Sequence, residues 1–187
     1  MNLIPTDLPD VLVVVPRVFR DERGYFLETW HRDRYADAGF PAGFLQDNLS
    51  YSAPGVLRGL HMQHPSGQAK LVSVLAGAIF DVAVDTRAGS PTFGRWVGVE
   101  LSAEGHRQLF VPAGFAHGFV VTSGVPALVS YKVDAPYAPG DELTIAWDDP
   151  DLAVGWPVAA PVLSEKDRRG LRLRDVPPGR LPRFPTA

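Results

Sequence analysis

Cysteine is absent from this 187-residue chain, which removes disulfide frameworks, thiol nucleophiles and thiolate metal sites together. No apolar run approaches the ~20 residues that a membrane-spanning helix needs. Met1 is not followed by the basic start and apolar core of a signal peptide, so a cytoplasmic location is expected. An excess of one charge is missing too. Eighteen Lys and Arg against 21 Asp and Glu leave a net charge of −3, which gives no electrostatic reason to expect nucleic acid or an anionic membrane as partner. The basic residues are scattered except over 166–174, where Lys166, Arg168, Arg169, Arg172 and Arg174 are interrupted by acids and read as a solvated face.

What the chain has in quantity is turn chemistry: 18 prolines and 18 glycines, spread along its length rather than gathered in one tract. Frequent turns between short elements follow. Residues 70–85 read as two β-branched strands joined at Ala76-Gly-Ala78. Further strands are expected over 94–101, 107–111, 118–122, 127–133 and 142–147. Regularly spaced short strands mean a β-sandwich or a barrel. Helix is expected over 32–38 and for a turn or two after Ser164. With no internal repeat and no dividing linker, residues 1–187 are expected to form one domain. Its parts would be an N-terminal arm with a short helix (1–50), a strand-rich core (51–150) and a C-terminal segment (151–187).

Strand alternation sets Lys70 on the side of Val72 and Val74, with Leu71, Ser73 and Leu75 on the other, so an amine is a candidate for an inward position. The alternative is a strand-end lysine whose head reaches water. His61 and Gln63 share one face, Met62 and His64 the opposite one. Arg58 and His61 are an odd number of residues apart, so a regular strand would separate them unless Gly59 introduces a local irregularity.

The segment Pro112-Ala-Gly114-Phe-Ala-His117-Gly-Phe119 resembles the second motif of cupins, whose histidine often binds metal. The first motif does not match: His61 and His64 are three apart and tend to opposite faces, and Gln68 and Lys70 stand where an acidic ligand would be wanted. A metal-dependent cupin isomerase or dioxygenase, with iron, zinc or manganese bound through His61, His64 or His117, is therefore the less favoured reading.

Several segments occur in one order: Asp21-Glu-Arg23-Gly24-Tyr-Phe26-Leu-Glu28, Gln46-Asp47-Asn48, Arg58-Gly59-Leu60-His61, Gln68-x-Lys70, the His117 motif, Tyr131-Lys132 and Ser164-Glu-Lys166-Asp167. This ordered set resembles the dTDP-4-dehydrorhamnose 3,5-epimerase family, a metal-independent branch of the cupins, and covers nearly the entire chain. The resemblance implies an all-β, cupin-type jelly-roll barrel with short helices near the chain ends, a homodimer, a small-molecule dTDP-sugar substrate and no cofactor.

It also implies roles. His61 is the base and Asp167 its partner. Lys70 stabilises negative charge on the sugar C4 oxygen, and His117 assists it or contacts phosphate. Tyr131 donates the proton. Arg23, Arg58 and Lys166 approach the nucleotide and its phosphates, Glu28 and Gln46, Asp47 and Asn48 contact the nucleotide, Phe26 and Glu142 join the site, and Tyr137 stacks on thymine. The chemistry is apt: an imidazole titrating near ~6.5 can take a proton from carbon beside a ketone. Singly, each residue has a plainer role: Ser164 and Asp167 as a helix cap, Tyr131 as a core aromatic, His61 as an interior histidine. Met62, where the family commonly has an aromatic, and a connection from His61 to Lys70 one residue shorter than usual are departures. They leave open an epimerase acting at one carbon, and a non-catalytic sugar-nucleotide binding module is the remaining alternative.

Overall fold

The computed structural model describes residues 1–41 and 43–185. Thirteen strands form among them: β1 (Asn2–Pro5), β2 (Leu12–Val15), β3 (Val18–Asp21), β4 (Gly24–Leu27), β5 (Gln46–Ser52), β6 (Leu57–Gln63), β7 (Lys70–Ala76), β8 (Ala78–Asp85), β9 (Trp96–Ser102), β10 (Gln108–Val111), β11 (Phe115–Val121), β12 (Ala127–Val133) and β13 (Glu142–Thr144). Helices are short: α1 (Arg32–Asp37), α2 (Glu165–Arg168) and two single 3-10 turns near the C-terminus. The two strands expected over 70–85 are present as β7 and β8, joined by a tight turn on Gly77 at φ +74°, but the chain crosses there from one sheet to the other and the two strands do not pair. A Cβ at Gly77 would meet the Pro126 carbonyl oxygen at 2.9 Å, so the turn has room for glycine alone.

All pairing within the sheets is antiparallel. One sheet runs β1-β2-β10-β7-β12-β5, a second β13-β6-β11-β8-β9, and β3 and β4 form a separate hairpin. The two large sheets face each other across a core that takes Val72 and Val74 from β7, Leu109 and Val111 from β10, Val129 from β12, Ile79 and Ala83 from β8, and Phe115, Phe119 and Val121 from β11. Each fully buried aliphatic or aromatic side chain contributes about 1.5–3 kcal/mol relative to exposure. The outer faces are covered as well. Tyr35 of α1 and Phe40 pack with Val14, Leu71 and Phe110 on the six-stranded sheet, while Leu152, Leu173, Val176 and Leu181 cover Leu60, Met62, Val82 and Val84 on the other.

This arrangement corrects the expected barrel. The six-stranded sheet ends at β1 and β5 and the five-stranded sheet at β13 and β9; among the described residues no ladder joins one sheet to the other, so neither closes. Alternation and turn spacing are the same in an open sandwich and in a closed barrel, so closure was not readable from the strand pattern. The N-terminal region also holds more strand than expected, since β1 and β2 complete one edge of the six-stranded sheet.

Candidate active site

A cavity of about 570 Å³ opens between the two sheets at the end bounded by β5, β6, β7, β11 and β12, with the 162–167 segment along its rim. Each sheet supplies one wall. From the six-stranded sheet come Lys70 on β7 and Tyr131 on β12; from the five-stranded sheet come His61 on β6 and His117 on β11.

The spacing of Arg58 and His61 is resolved by a bulge. Arg58 pairs with Phe119 and His61 with His117, so three steps along β6 oppose two along β11 and both side chains reach the cavity wall. Gly59, inside the bulge at φ +129°, permits it: a Cβ there would lie 2.5 Å from Gly118 Cα.

His61 Nε2 lies 2.6 Å from Asp167 Oδ1. The sequence brings this pair together through isolated bridges, Val56 to Val162 before α2 and Ile145 to Leu171 after it, which fasten the C-terminal segment alongside β6. Ser164 caps α2 by accepting from the Asp167 backbone N–H, and its hydroxyl donates to Asp167 Oδ2 at 2.7 Å. The capping role and the pairing role thus coexist. Burial pushes the Asp167 carboxyl up, but the hydrogen bonds from His61 and Ser164 and the nearby Lys166 charge outweigh it and hold the group below the usual carboxylate range.

Lys70 is buried, and its Nζ donates to the Gln68 carbonyl at 3.3 Å. Burial brings its pKa down to about 8 against the opposing pull of Asp134, Asp81 and Glu142. Burial likewise raises the Tyr131 phenol, partly countered by Arg58 and Lys166, so it stays protonated at neutral pH and can donate. At the mouth, Glu142 accepts from Lys166 Nζ at 2.8 Å and from the Tyr137 hydroxyl at 3.0 Å. Burial raises Glu142, and these two bonds bring it below its ordinary value. Gln46 and Asn48 line the β5 wall, bonded to each other at 2.7 Å.

Four predicted residues are not brought to this cavity. Arg23 and Phe26 are exposed on the β3–β4 hairpin, Glu28 pairs with Arg34, and Asp47 points to the other face of β5, where it pairs with Lys132 at 2.8 Å. Alternation alone separates Asp47 from Gln46 and Asn48.

Asp81 was missed by sequence reasoning. It is fully buried on β8 and lies 2.6 Å from His117 Nε2. The available signal was an acid between Ile79 and Ala83 on the core-facing side of an alternating strand. Ser50, whose buried Oγ has no partner among the described residues, and Gln63, which holds the 136–138 backbone through both ends of its amide, were also missed. Among the described residues no three His, Cys, Asp or Glu side chains converge as a metal would require, and His64 does not line the cavity. Nor is any helix among them long and apolar enough to cross a membrane.

Comparison with known proteins agrees with this geometry. The family profile described as dTDP-4-dehydrorhamnose 3,5-epimerase matches residues 5–175. The chain is 53% identical over 171 residues to the dTDP-4-dehydrorhamnose 3,5-epimerase of Pseudomonas aeruginosa, covering 90% of this chain and 94% of that protein. It is 50% identical over 178 residues to that of Shigella flexneri, covering 94% and 98%. A crystal structure of the 3,5-epimerase of Legionella pneumophila in complex with dTDP-4-keto-L-rhamnose superposes with a TM-score of 0.96 at 48% identity, covering 99% of both chains. A match across this length, to proteins this similar, settles descent: the chain belongs to the dTDP-4-dehydrorhamnose 3,5-epimerase family.

Proposed function

We propose that the protein converts dTDP-4-dehydro-6-deoxy-D-glucose to dTDP-4-dehydro-6-deoxy-L-mannose, inverting C3 and C5 through enolate intermediates. The observation that carries the mechanism is the placement of an imidazole and a phenol on opposing walls of one cavity, His61 from the five-stranded sheet and Tyr131 from the six-stranded sheet. Inversion requires removing a proton from one face of a carbon and returning one to the other, so acid and base must flank the ring.

His61 takes the proton. Asp167 fixes the imidazole's orientation and stabilises the imidazolium that forms. As the C–H bond breaks, its electron pair moves into the ring and the ketone oxygen becomes an enolate, which Lys70 and His117 stabilise. Tyr131 then delivers a proton to the opposite face. Arg58 and Lys166 take the diphosphate, with Lys166 released from Glu142, and Tyr137 stacks on the base. No step calls for a cofactor.

The exposed hairpin completes the reading. Phe19 and Phe26 on β3 and β4 and Leu49 and Tyr51 on the outer face of β5 are large apolar side chains left in water. A homodimer would cover them and could present Arg23 and Phe26 to the second copy's cavity. A monomer at micromolar concentration by light scattering would refute it.

The test is NMR of the substrate incubated with metal-free protein in D₂O. Deuterium at both C3 and C5 with appearance of the L-sugar is expected. Label at one carbon alone would make this a single-site epimerase, and none at either would overturn the enzyme reading.

A further inference from the structure

Residues 135–138 leave the sheets between β12 and β13 and carry Tyr137 to the cavity mouth. Among the described residues they make one backbone–backbone hydrogen bond, in which the Ala138 carbonyl accepts from the Asp141 N–H. Glutamine side chains hold the other backbone groups. Gln68 Nε2 donates to the Ala135 carbonyl at 2.8 Å, and Gln46 Oε1 accepts from the Tyr137 N–H at 3.3 Å. Gln63 takes two groups: its Nε2 donates to the Pro136 carbonyl at 3.2 Å and its Oε1 accepts from the Ala138 N–H at 3.0 Å. It is buried on β6, and its Nε2 also donates to the Ser66 hydroxyl at 3.2 Å. Both amide hydrogens are thus engaged by the protein, so Gln63 lines the cavity without an N–H to offer a substrate. Glu142 is its partner across the β6–β13 ladder, and Glu142 accepts from the Tyr137 hydroxyl at 3.0 Å. One pair of facing residues therefore grips both ends of this tyrosine, Gln63 the backbone on either side of it and Glu142 the tip of its phenol.

We propose that Gln63 is a positioning residue for nucleotide binding: it fixes the path of 136–138 so that the Tyr137 ring stands ready at the mouth for thymine to stack on. This rests on the reading that assigns Tyr137 to the base. Tyr137 is 52% exposed, so packing alone does not orient its ring. A ring that had to be ordered as the base arrived would give up part of the stacking free energy, whereas one held in place beforehand keeps it. Pro136 is exposed as well, so without the Gln63 amide its carbonyl can turn to water and the loop loses its fixed path. The contact made is with the base rather than the reacting sugar. It is equally strong before and during the chemistry, and Gln63 therefore acts on KM and not on kcat.

The test is calorimetric titration with dTDP of the wild type, Gln63→Met, Tyr137→Ala and the double variant. Gln63→Met keeps the length of the side chain and removes its amide. The Kd for dTDP should rise about five- to tenfold in Gln63→Met and about tenfold or more in Tyr137→Ala. The double variant should lie within about twofold of Tyr137→Ala alone, because Gln63 acts through that ring. In turnover of the dTDP-sugar, Gln63→Met should raise KM by the same factor as Kd and leave kcat within about twofold. Penalties that multiply in the double variant would mark a merely structural role and overturn the proposal, as would an unchanged Kd in Gln63→Met or a loss confined to kcat. If Gln63→Met does not fold, Gln63→Glu takes its place in the same cycle under the same criteria, since it keeps the acceptor for the Ala138 N–H and loses the donor to Pro136. If Tyr137→Ala binds dTDP as the wild type does, the stacking assignment fails and the role of Gln63 with it. Failure to epimerise any dTDP-sugar would instead sink the function and leave the binding cycle to judge Gln63.

Discussion

His61 and Asp167 are separated by 106 positions in the chain and by 2.6 Å between Nε2 and Oδ1 in the fold. Replacing His61 by Ala should lower kcat by about 10²–10⁴-fold, the usual worth of a general base, while dTDP still binds. Calorimetric titration with dTDP checks the second half; lost binding would mean that the imidazole supports the fold rather than the chemistry. Asp167→Asn adds a pH signature. Its native carboxyl lies below the unfolded value of about 3.9, so the stability it contributes is present above that pH and disappears as pH falls through the native value. Wild type and variant should differ in urea midpoint at pH 7 and converge as pH falls through the native value of the carboxyl.

Tyr131→Phe should separate proton removal from inversion. With His61 intact the C–H proton still leaves, but the opposite face lacks its donor, so proton return from the original side dominates. Deuterium should wash into unconverted substrate faster than product forms, by a ratio well above the wild-type value in the same NMR experiment. Equal loss of both rates would show that the phenol acts before the enolate forms.

Lys70 is expected to trade stability for function. Its pKa falls from 10.5 unfolded to about 8 in the fold because burial disfavours the charged amine. Below pH 8 both states are protonated and the fold bears the cost of the buried charge, on the order of 3 kcal/mol. Between about 8 and 10.5 the native amine is neutral, and that cost fades. Lys70→Met should therefore raise Tm at pH 7, with a gain that shrinks toward pH 10, while activity is lost. In the wild type, kcat should fall above about pH 8 as the ammonium that faces the enolate disappears.

Alternation made much of the site legible. Lys70 with Val72 and Val74, and Gln46 with Asn48, follow from period two once the strands are placed, and the Ser164 cap was visible as a spacing. Non-local geometry was not. The Arg58–His61 relation depends on a bulge whose existence is set by the partner strand β11, and Asp81, although alternation puts it on the core-facing side of β8, meets His117 only because β11 lies beside β8 in the sheet. Arg23 and Phe26 matched family positions, yet the chain's own fold leaves them on an exposed hairpin. Whether the sheets close is likewise decided by edge pairing, which periodicity within one strand does not encode.

Gly59 offers the sharpest check on how the backbone builds the site. At φ +129° an L side chain is strained, and a Cβ would stand 2.5 Å from Gly118 Cα and 2.9 Å from the His117 carbonyl oxygen. Those obstacles are backbone atoms, so relief requires β6 and β11 to move apart and the bulge to change. Gly59→Ala should cost at least about 1 kcal/mol and should also lower kcat, because Arg58 and His61 share the cavity wall only through this bulge. Gly124→Ala is the control: its Cβ meets nothing within 4 Å and its φ lies outside the left-handed region, so its stability should stay within about 0.5 kcal/mol of wild type. Denaturant titration and the deuterium assay on both variants decide the matter. If Gly59→Ala behaves like Gly124→Ala, the close approach of β6 to β11 is not what places Arg58 and His61 together.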